Sequence, residues 1–499
     1  MHLGAAIRSG AKWLAFGKLA NRLWEFAFGV ILARLLTPAD FGMIATVSVF
    51  TGFVGMFTAG GMGQSLIRAK EADEEDFTAV FTLQLALGVL VYLGFFAAAP
   101  LIARAFAEPL YTDLVRVMAL SFLLRPLYVM RMAWLNRHMQ FQARTQVEIA
   151  MGFVSGVSAS LMAWMGLGVW SLALSGLLNA LLQNLWLSRL VPLAARLNPR
   201  TELMRRHSGF GARIVANDFL SYLNREGRTL MVSKLAGASA LGLFNKADSL
   251  ARLPNQLFMQ PTMEPLFRAL GKTQDDPGQV RYLYYRSLTL LSAYTLPLYA
   301  ILWWVAEPFI SVVYGPKWVA AAEPMRILVL AGPFLNLLFP SSVLLAAQNR
   351  LGLEIKAQAI HLPLALIAVF IGLQYGLAGL AWAVFAATAL LTLHLLFYAH
   401  RCVRGRWADL AQAIAPGVLM GCAMTVALGF THGAVEAWPQ ASAVARLLVM
   451  LCVGGAAYAL FWLFQPFAAL RTESQRWRAL LARAAHTLRG PLRLSRPRS

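Results

Sequence analysis

The chain is short of charge. Only 13% of its 499 residues are Asp, Glu, Lys or Arg, about half the share of a soluble domain, while 59% are hydrophobic and the mean hydropathy is +0.59. It is shorter still of acid: 23 carboxylates face 44 lysines and arginines, for a formal net charge of +21. Cysteine is scarce, and Cys402, Cys422 and Cys452 are scattered in or beside apolar segments, which points to neither a disulfide framework nor a metal site. No HxxxH, CxxC, Walker or GxSxG arrangement occurs in a usable context, and the longest loops run only about 20 residues, too short for a catalytic domain. No small-residue cleavage site follows the first apolar stretch, so no cleavable signal peptide is expected. These absences argue against a soluble enzyme, a cofactor and a metal.

What is present is a rhythm of apolar stretches. About fourteen of them are roughly 20 residues or longer, enough to cross a ~30 Å hydrocarbon core as a helix. They cover approximately 13–36, 41–67, 77–106, 114–134, 147–167, 169–190, 210–235, 241–270, 282–305, 325–347, 355–373, 377–399, 410–430 and 445–464. Basic residues concentrate in alternate loops, among them Arg68 and Lys70, Arg137 and Arg144, Arg205 and Arg206, Arg281 and Arg286, and Arg401 and Arg404. The opposite loops hold little more than Arg104, Lys317 and Arg446. The positive-inside rule then puts both termini in the cytoplasm, which requires an even number of spans. It also accounts for the net charge without nucleic acid. After Arg471, Trp477, Leu480, Leu481, Ala484 and Leu488 recur at helical spacing among arginines, a pattern suited to a helix lying on an anionic leaflet.

Two halves share an order of features. Arg34-Leu35 closes the first span and Phe41-Gly42 opens the second; at an offset of 200, Lys234-Leu235 and Leu241-Gly242 do the same for the seventh and eighth. At that offset Gln64, Leu66 and Arg68 meet Glu264, Leu266 and Arg268. The expected fold is therefore an all-α polytopic membrane protein. Two six-helix lobes, 1–206 and 207–406, are related by a pseudo-two-fold along the membrane normal. Two further transmembrane helices (407–470) and a basic cytoplasmic tail (471–499) follow. A substrate site is expected where such repeats meet.

An ionisable side chain at mid-membrane costs about 2.5–3.5 kcal/mol even on a lenient scale, so it is aimed at a cavity or a partner. Lys18, Arg22 and Glu25 share one face of the first span. The fourth carries Arg125 and Arg131. In the seventh, Asn217, Ser221, Asn224 and Arg228 form a polar stripe beside Asp218, Arg225 and Glu226, and the eighth carries Lys246, Asp248 and Arg252. Cations outnumber carboxylates, which suits an anion; arginine in particular offers phosphate a planar fork that stays charged. The plainer reading is local pairing of Arg22 with Glu25 and of Asp248 with Arg252, and snorkelling of Lys18 and Lys246. Candidate substrate ligands are Lys18, Arg22, Arg125, Arg131, Arg225, Arg228, Lys246 and Arg252; candidate charge-relay groups are Glu25, Asp218, Glu226 and Asp248. Asn179, Gln183, Asn217 and Asn224 offer hydrogen bonds to a polar substrate or to neighbouring helices. The acidic run Asp73–Asp76 reads as a solvated loop, and His361 as a satisfied interior histidine.

The segment from Ile31 through Leu35-Leu36-Thr37-Pro38-Ala39-Asp40-Phe41-Gly42 is similar to the first-loop signature of bacterial polysaccharide flippases. It resembles the Wzx/WzxC-like branch of the multidrug/oligosaccharidyl-lipid/polysaccharide exporter superfamily. Leu241-Gly242-Leu243-Phe244-Asn245-Lys246-Ala247-Asp248 with Pro254 resembles that branch's eighth helix, and Tyr314-Gly315-Pro316-Lys317-Trp318 its ninth-to-tenth-helix loop. The resemblance implies a bacterial inner-membrane protein that moves an undecaprenyl-diphosphate-linked oligosaccharide outward by alternating access. It also implies membrane lipids as surroundings and a polysaccharide polymerase and assembly proteins as candidate partners. Arg228 departs from the branch, which often has an acidic residue there; Glu226 is a nearby substitute.

Two other functions fit the residues: a cation-coupled drug or metabolite exporter that depends on Asp218, Glu226 or Asp248, and a non-transporting scaffold of a glycan assembly complex. The cationic-cavity reading expects single alanine substitutions at Arg22, Arg125, Arg225 and Arg228 to abolish polysaccharide export with folding largely intact. Normal export by all four variants would eliminate it.

Overall fold

Hydrocarbon offers a backbone no hydrogen bonds, so a spanning chain must satisfy its own. This one does so with helices: among the described residues there is no strand. The computed structural model describes residues 3–59, 62–68, 73–194, 196–438 and 440–489. Within them it describes the side chains of all but 3–12, 14–15, 53–59, 63–64, 68, 205–221, 224–225, 260, 480–481 and 483–489.

The chain forms two compact units, Met1–Asn245 and Lys246–Ser499. The first holds α1 (Leu3–Leu35), α2 (Pro38–Ala59), α3 (Met62–Arg68), α4 (Glu74–Phe106), α5 (Leu110–Ala119), α6 (Ser121–Arg137), α7 (Phe141–Trp164), α8 (Val169–Leu190) and most of α9 (Thr201–Ala251). The second continues with α10 (Leu253–Lys272), α11 (Pro277–Phe309), α12 (Ala322–Val329), α13 (Gly332–Ala347), α14 (Leu351–Leu373), α15 (Gly376–Val403), α16 (Trp407–Glu436), α17 (Ala443–Phe464) and α18 (Arg471–Arg489). Among the described residues, seven helices are long and apolar enough to cross a membrane: α4, α7, α11 with the π turn that extends it to Tyr314, α14, α15, α16 and α17. The segments Pro316–Val329 and Gly332–Ala347, bent by 52°, make an eighth when counted as one.

Several expected single spans are broken. The stretch 114–134 is two helices, α5 and α6, meeting at Leu120. In α6, Pro126 has no N–H for the Phe122 carbonyl, and Gly88 of α4 packs against that carbonyl so closely that a Cβ would lie 2.6 Å from it. The stretch 241–270 divides at Arg252, ahead of Pro254. Gly237, at φ 83° and ψ 172°, interrupts α9 in a conformation that L side chains rarely adopt. The acidic run is no loop: Asp73 caps α4, accepting from the Asp76 N–H at 3.0 Å, and Asp76 accepts in return from the Asp73 N–H at 3.2 Å. Glu74, Glu75 and Asp76 thus sit in a first helical turn, where the macrodipole favours negative charge.

The core of the first unit joins Leu66, Phe77, Val80, Met130, Leu135, Val147 and Leu187 from α3, α4, α6, α7 and α8. A core of the second joins Leu270, Tyr284, Leu288, Leu344, Ala399 and Leu410 from α10, α11, α13, α15 and α16. Large apolar side chains on the outer faces, such as Leu90, Leu161, Ile367 and Phe430, stand exposed and suit acyl chains. In the tail helix α18, Trp477 is turned to the protein: it stacks on Trp462 of α17, and its Nε1–H donates to the Tyr294 hydroxyl of α11 at 3.4 Å.

The signature around Pro38 has a local cause. Thr37 and Asp40 form a reciprocal cap on α2: the Thr37 N–H donates to Asp40 Oδ2 at 2.8 Å and the Asp40 N–H to Thr37 Oγ1 at 3.3 Å. Pro38 follows at the first helical position, where its missing N–H costs nothing. Against this turn packs the segment after Gly237. A Cβ on Gly42 would lie 1.7 Å from the Ala238 carbonyl oxygen, and one on Gly242 would lie 1.8 Å from that of Pro38. The two contacts are counterparts of each other at the 200-residue offset. One turn deeper, the Thr46 and Ser233 hydroxyls, both buried, are 2.6 Å apart.

Alanine at Gly42 or Gly242 must therefore displace backbone, at a cost of about 1–3 kcal/mol. Thermal unfolding of the detergent-solubilised protein should show both variants melting below wild type. Gly94→Ala, with open space at its Cβ, should not.

Candidate functional site

The first unit contains a cavity of about 450 Å³ between α1, α7 and α8, within the size range of small-molecule sites. Its polar wall is made by Asn21 and Glu25 of α1, Glu148 and Ser155 of α7, and Asn179 and Gln183 of α8. Its apolar wall includes Trp24 and Phe28, whose rings pack with Phe153 at centroid distances of 5.0 and 5.7 Å. Glycine creates the space. Gly152 and Gly156 lie one turn apart on α7, and a Cβ on them would lie 2.9 Å from Asn21 Oδ1 and 2.1 Å from the Phe28 ring. This is the small-xxx-small seam that lets membrane helices approach closely.

Three polar atoms here are buried without a protein hydrogen-bond partner: Asn21 Oδ1, Trp24 Nε1 and Asn179 Oδ1. A buried amide oxygen or indole N–H left unmatched costs about 1–3 kcal/mol, so each has capacity for a ligand. Both carboxylates are matched within their own helices. Arg22 Nη1 donates to Glu25 Oε2 at 3.0 Å, and Arg144 Nε donates to Glu148 Oε1 at 2.8 Å. The ionisable groups that line the cavity are these two carboxylates, and the arginines that pair with them stand outside its lining.

The expected site residues are spread more widely than one cavity. Lys18 stands exposed on α1 and Arg125 on α6. Arg131 is buried and donates to the Asn184 carbonyl of α8 at 2.9 Å, while Asn184 donates to the Leu124 carbonyl of α6 at 3.1 Å, a reciprocal clamp between the two helices. Arg228 is half-buried over the Phe244 ring at 5.7 Å, and Glu226 is half-buried on the same helix. In the second unit, Lys246 Nζ lies 4.6 Å from the Tyr314 ring centre and 5.1 Å from that of Trp318. Two of the signature segments thus meet as a cation–π cage. Arg252 Nε donates to Asp248 Oδ2 at 2.8 Å, the local pair that their spacing allows. Asp218, Arg225, Asn217 and Asn224 lie outside the residues whose side chains are described.

Residues 31–323, more than half of the chain, match the family model described as "Polysaccharide biosynthesis protein". The chain belongs to the polysaccharide biosynthesis protein family. It is similar to the lipopolysaccharide biosynthesis protein WzxC of Escherichia coli (strain K12), 24% identical over 73% of this chain and 75% of the relative. The succinoglycan biosynthesis transport protein ExoT of Rhizobium meliloti (strain 1021) is 25% identical over 64% and 65%. The teichuronic acid biosynthesis protein TuaB of Bacillus subtilis (strain 168) is 22% identical over 75% and 78%. In fold it matches a structure of the lipid II flippase MurJ in an inward closed conformation, with a TM-score of 0.70 and 15% identity, over 94% of this chain and 99% of that one. A multidrug resistance MATE family transporter of the MOP superfamily, inward-facing, matches with a TM-score of 0.61 and 13% identity over 77% and 94%.

In this family member Asn179 and Gln183 come together in one cavity with three residues that the sequence reading passed over: Asn21, Trp24 and Glu148. The signal was present as Gly152-xxx-Gly156 on an apolar helix, which marks close helix approach. Asn21 was overshadowed by its charged neighbour Arg22.

Arg131→Ala should destabilise the protein by about 1.5–3 kcal/mol, since it removes a charged donor from a buried carbonyl. Arg22→Gln, at an exposed pair, should cost under about 1 kcal/mol. Comparing the melting temperatures of the two variants tests the assignment of Arg131 to packing.

Proposed function

We propose that this chain is a flippase that moves a lipid-linked oligosaccharide across the bacterial inner membrane for polysaccharide biosynthesis. The observation that carries the reading is the cavity on α1, α7 and α8. Amide groups that donate and accept beside flat aromatic faces suit a sugar, whose hydroxyls do both and whose ring faces are apolar. The membership of the family and the MurJ-like fold support the same reading. The lipid tail need never leave the hydrocarbon; only the headgroup needs a polar path.

In this reading Arg22 contributes to the diphosphate. Glu25 neutralises it while the site is empty, and the arriving phosphate takes the guanidinium over. Arg125, Arg225 and Arg228 are proposed as further anion ligands, with Asp218 and Glu226 as balancing charges. The engagement of Glu25 by Arg22 and of Glu148 by Arg144 disfavours the alternative of an exporter for organic cations, which needs carboxylates left for its cargo. The transport lobes are proposed as 1–206 and 207–406 within a fourteen-span topology with both termini cytoplasmic. The reciprocal Gly42–Ala238 and Gly242–Pro38 contacts support a two-fold relation between them, and this clasp must part for alternating access.

The direct test is flipping of a labelled undecaprenyl-diphosphate oligosaccharide in proteoliposomes. Wild type should deliver headgroup to the opposite leaflet; Asn179→Ala combined with Gln183→Ala should slow delivery at least about tenfold, the equivalent of 1.4 kcal/mol. No movement by wild type with any lipid-linked donor, in vesicles with normal insertion, would reject the function. Thr46→Cys with Ser233→Cys should cross-link on oxidation and halt flipping, and a thiol reductant should restore it. Undiminished flipping by the cross-linked protein would show that the clasp does not open.

A further inference from the structure

Midway along α14 and about two thirds of the way along α15, two histidines meet. His361 Nε2 and His394 Nδ1 are 3.0 Å apart, in hydrogen-bond contact, with ring centres separated by 5.2 Å. His361 is ten residues from the start of α14 and His394 nine from the end of α15, so each lies about 15 Å from its helix end at 1.5 Å per residue, near the centre of a ~30 Å core. Adhesion between these helices has another source. Gly372 and Gly379 touch backbone to backbone, where a Cβ on either would lie 2.4–2.5 Å from the other's carbonyl oxygen. The polar pair is not needed to hold the helices together.

A polar track approaches the pair from one side only. Glu354, Gln358 and His361 share a face of α14 at i, i+4 and i+7. The Ser342 hydroxyl of α13 donates to Glu354 Oε1 at 2.5 Å, and Gln358 Nε2 donates to the same oxygen at 3.2 Å. His361 follows one turn further on. Beyond it, α14 continues to Leu373 with apolar residues and glycine alone. The other ionisable groups on the elements packed here are Lys356 on α14, and Tyr398, His400, Arg401 and Cys402 on α15; Tyr398 is in ring contact with His394 at 4.7 Å, and α13 contributes none.

We propose that His361 and His394 form a proton-binding site that holds one proton at a time and exchanges it through the Glu354 side, the end that Arg350 and Lys356 assign to the cytoplasm. In the neutral pair, one ring donates its N–H to the other's lone pair, and the donor ring keeps a lone pair on its far nitrogen. The arriving proton binds that nitrogen, giving one imidazolium beside one imidazole. A second proton is excluded, because two imidazoliums would set N–H against N–H across the 3.0 Å contact. Uptake of the proton puts a charge at mid-membrane, which shifts the helices toward arrangements that hydrate it. The binding site stands on this geometry; its effect on transport rests on the flippase reading.

The test is proton counting on the full chain in nanodiscs with 15N-labelled histidine rings, from pH 5 to pH 8. His361→Gln and His394→Gln assign the signals, and potentiometric titration of wild type against the double variant gives the stoichiometry. The two rings should titrate together and the difference should be one proton. Two protons, or none in this range, would overturn the site. Flipping by wild type should change about tenfold per pH unit on one side of the transition, as single-proton control requires, and this slope should vanish in His361→Gln. An unchanged profile in the variant would overturn the control of transport. Wild type that takes up the proton but moves no lipid-linked sugar would leave the site standing and remove the flippase reading instead.

Discussion

Hydrocarbon supplies neither hydrogen bonds nor counter-ions, and the rest of this molecule follows from that shortage. Each polar group inside a span must find its partner in protein or line a cavity. Four of the described charges do the former, in three ways. Arg131 reaches a neighbouring backbone carbonyl, Lys246 takes aromatic faces, and Arg22 and Arg252 take carboxylates one turn away. Asn21, Trp24 and Asn179, three of the described groups with hydrogen-bonding capacity to spare, sit around one cavity. A reading of function from intramembrane charge alone therefore overweights residues already engaged and underweights neutral amides.

Close approach of helices is the second consequence. Where apolar surface contacts lipid as readily as protein, association relies on packing, and glycine is the means. Gly42 and Gly242 bring two helix starts together, Gly152 and Gly156 seat Asn21 and Phe28, and Gly372 and Gly379 join α14 to α15. The first contact holds the start of α2 against the segment after Gly237. The second shapes the cavity, and the third leaves the histidine pair without an adhesive duty.

The family signatures acquire physical content from these contacts. Thr37, Pro38 and Asp40 cap α2 and set its direction, and Gly42 then allows the segment after Gly237 to close on it. Tyr314 and Trp318 enclose Lys246 from a segment some seventy residues further along the chain. What the two signatures have in common is joining parts of the chain far apart in sequence.

Composition and periodicity by themselves determined the class. Few charges, long apolar stretches and arginine in alternate loops leave an all-helical membrane protein as the consistent answer, because burial of backbone in lipid admits little else. The correspondence of Gly42 and Gly242 was legible too, since each keeps its place relative to its turn. The helix breaks at Leu120 and Arg252 were not, although Pro126 and Pro254 stood near them: proline in a membrane helix can be accommodated by a neighbour, and only the packed structure shows which neighbour does so. The cavity was half legible, through Asn179 and Gln183. Its other wall depends on the rotation of α1 against α7, which is set by contacts between residues more than a hundred positions apart. The partner of His361 was likewise invisible, because a hydrogen bond between two helices leaves no mark on the period of either one. Sequence decides what each helix must hide; tertiary structure alone decides from what, and against which partner.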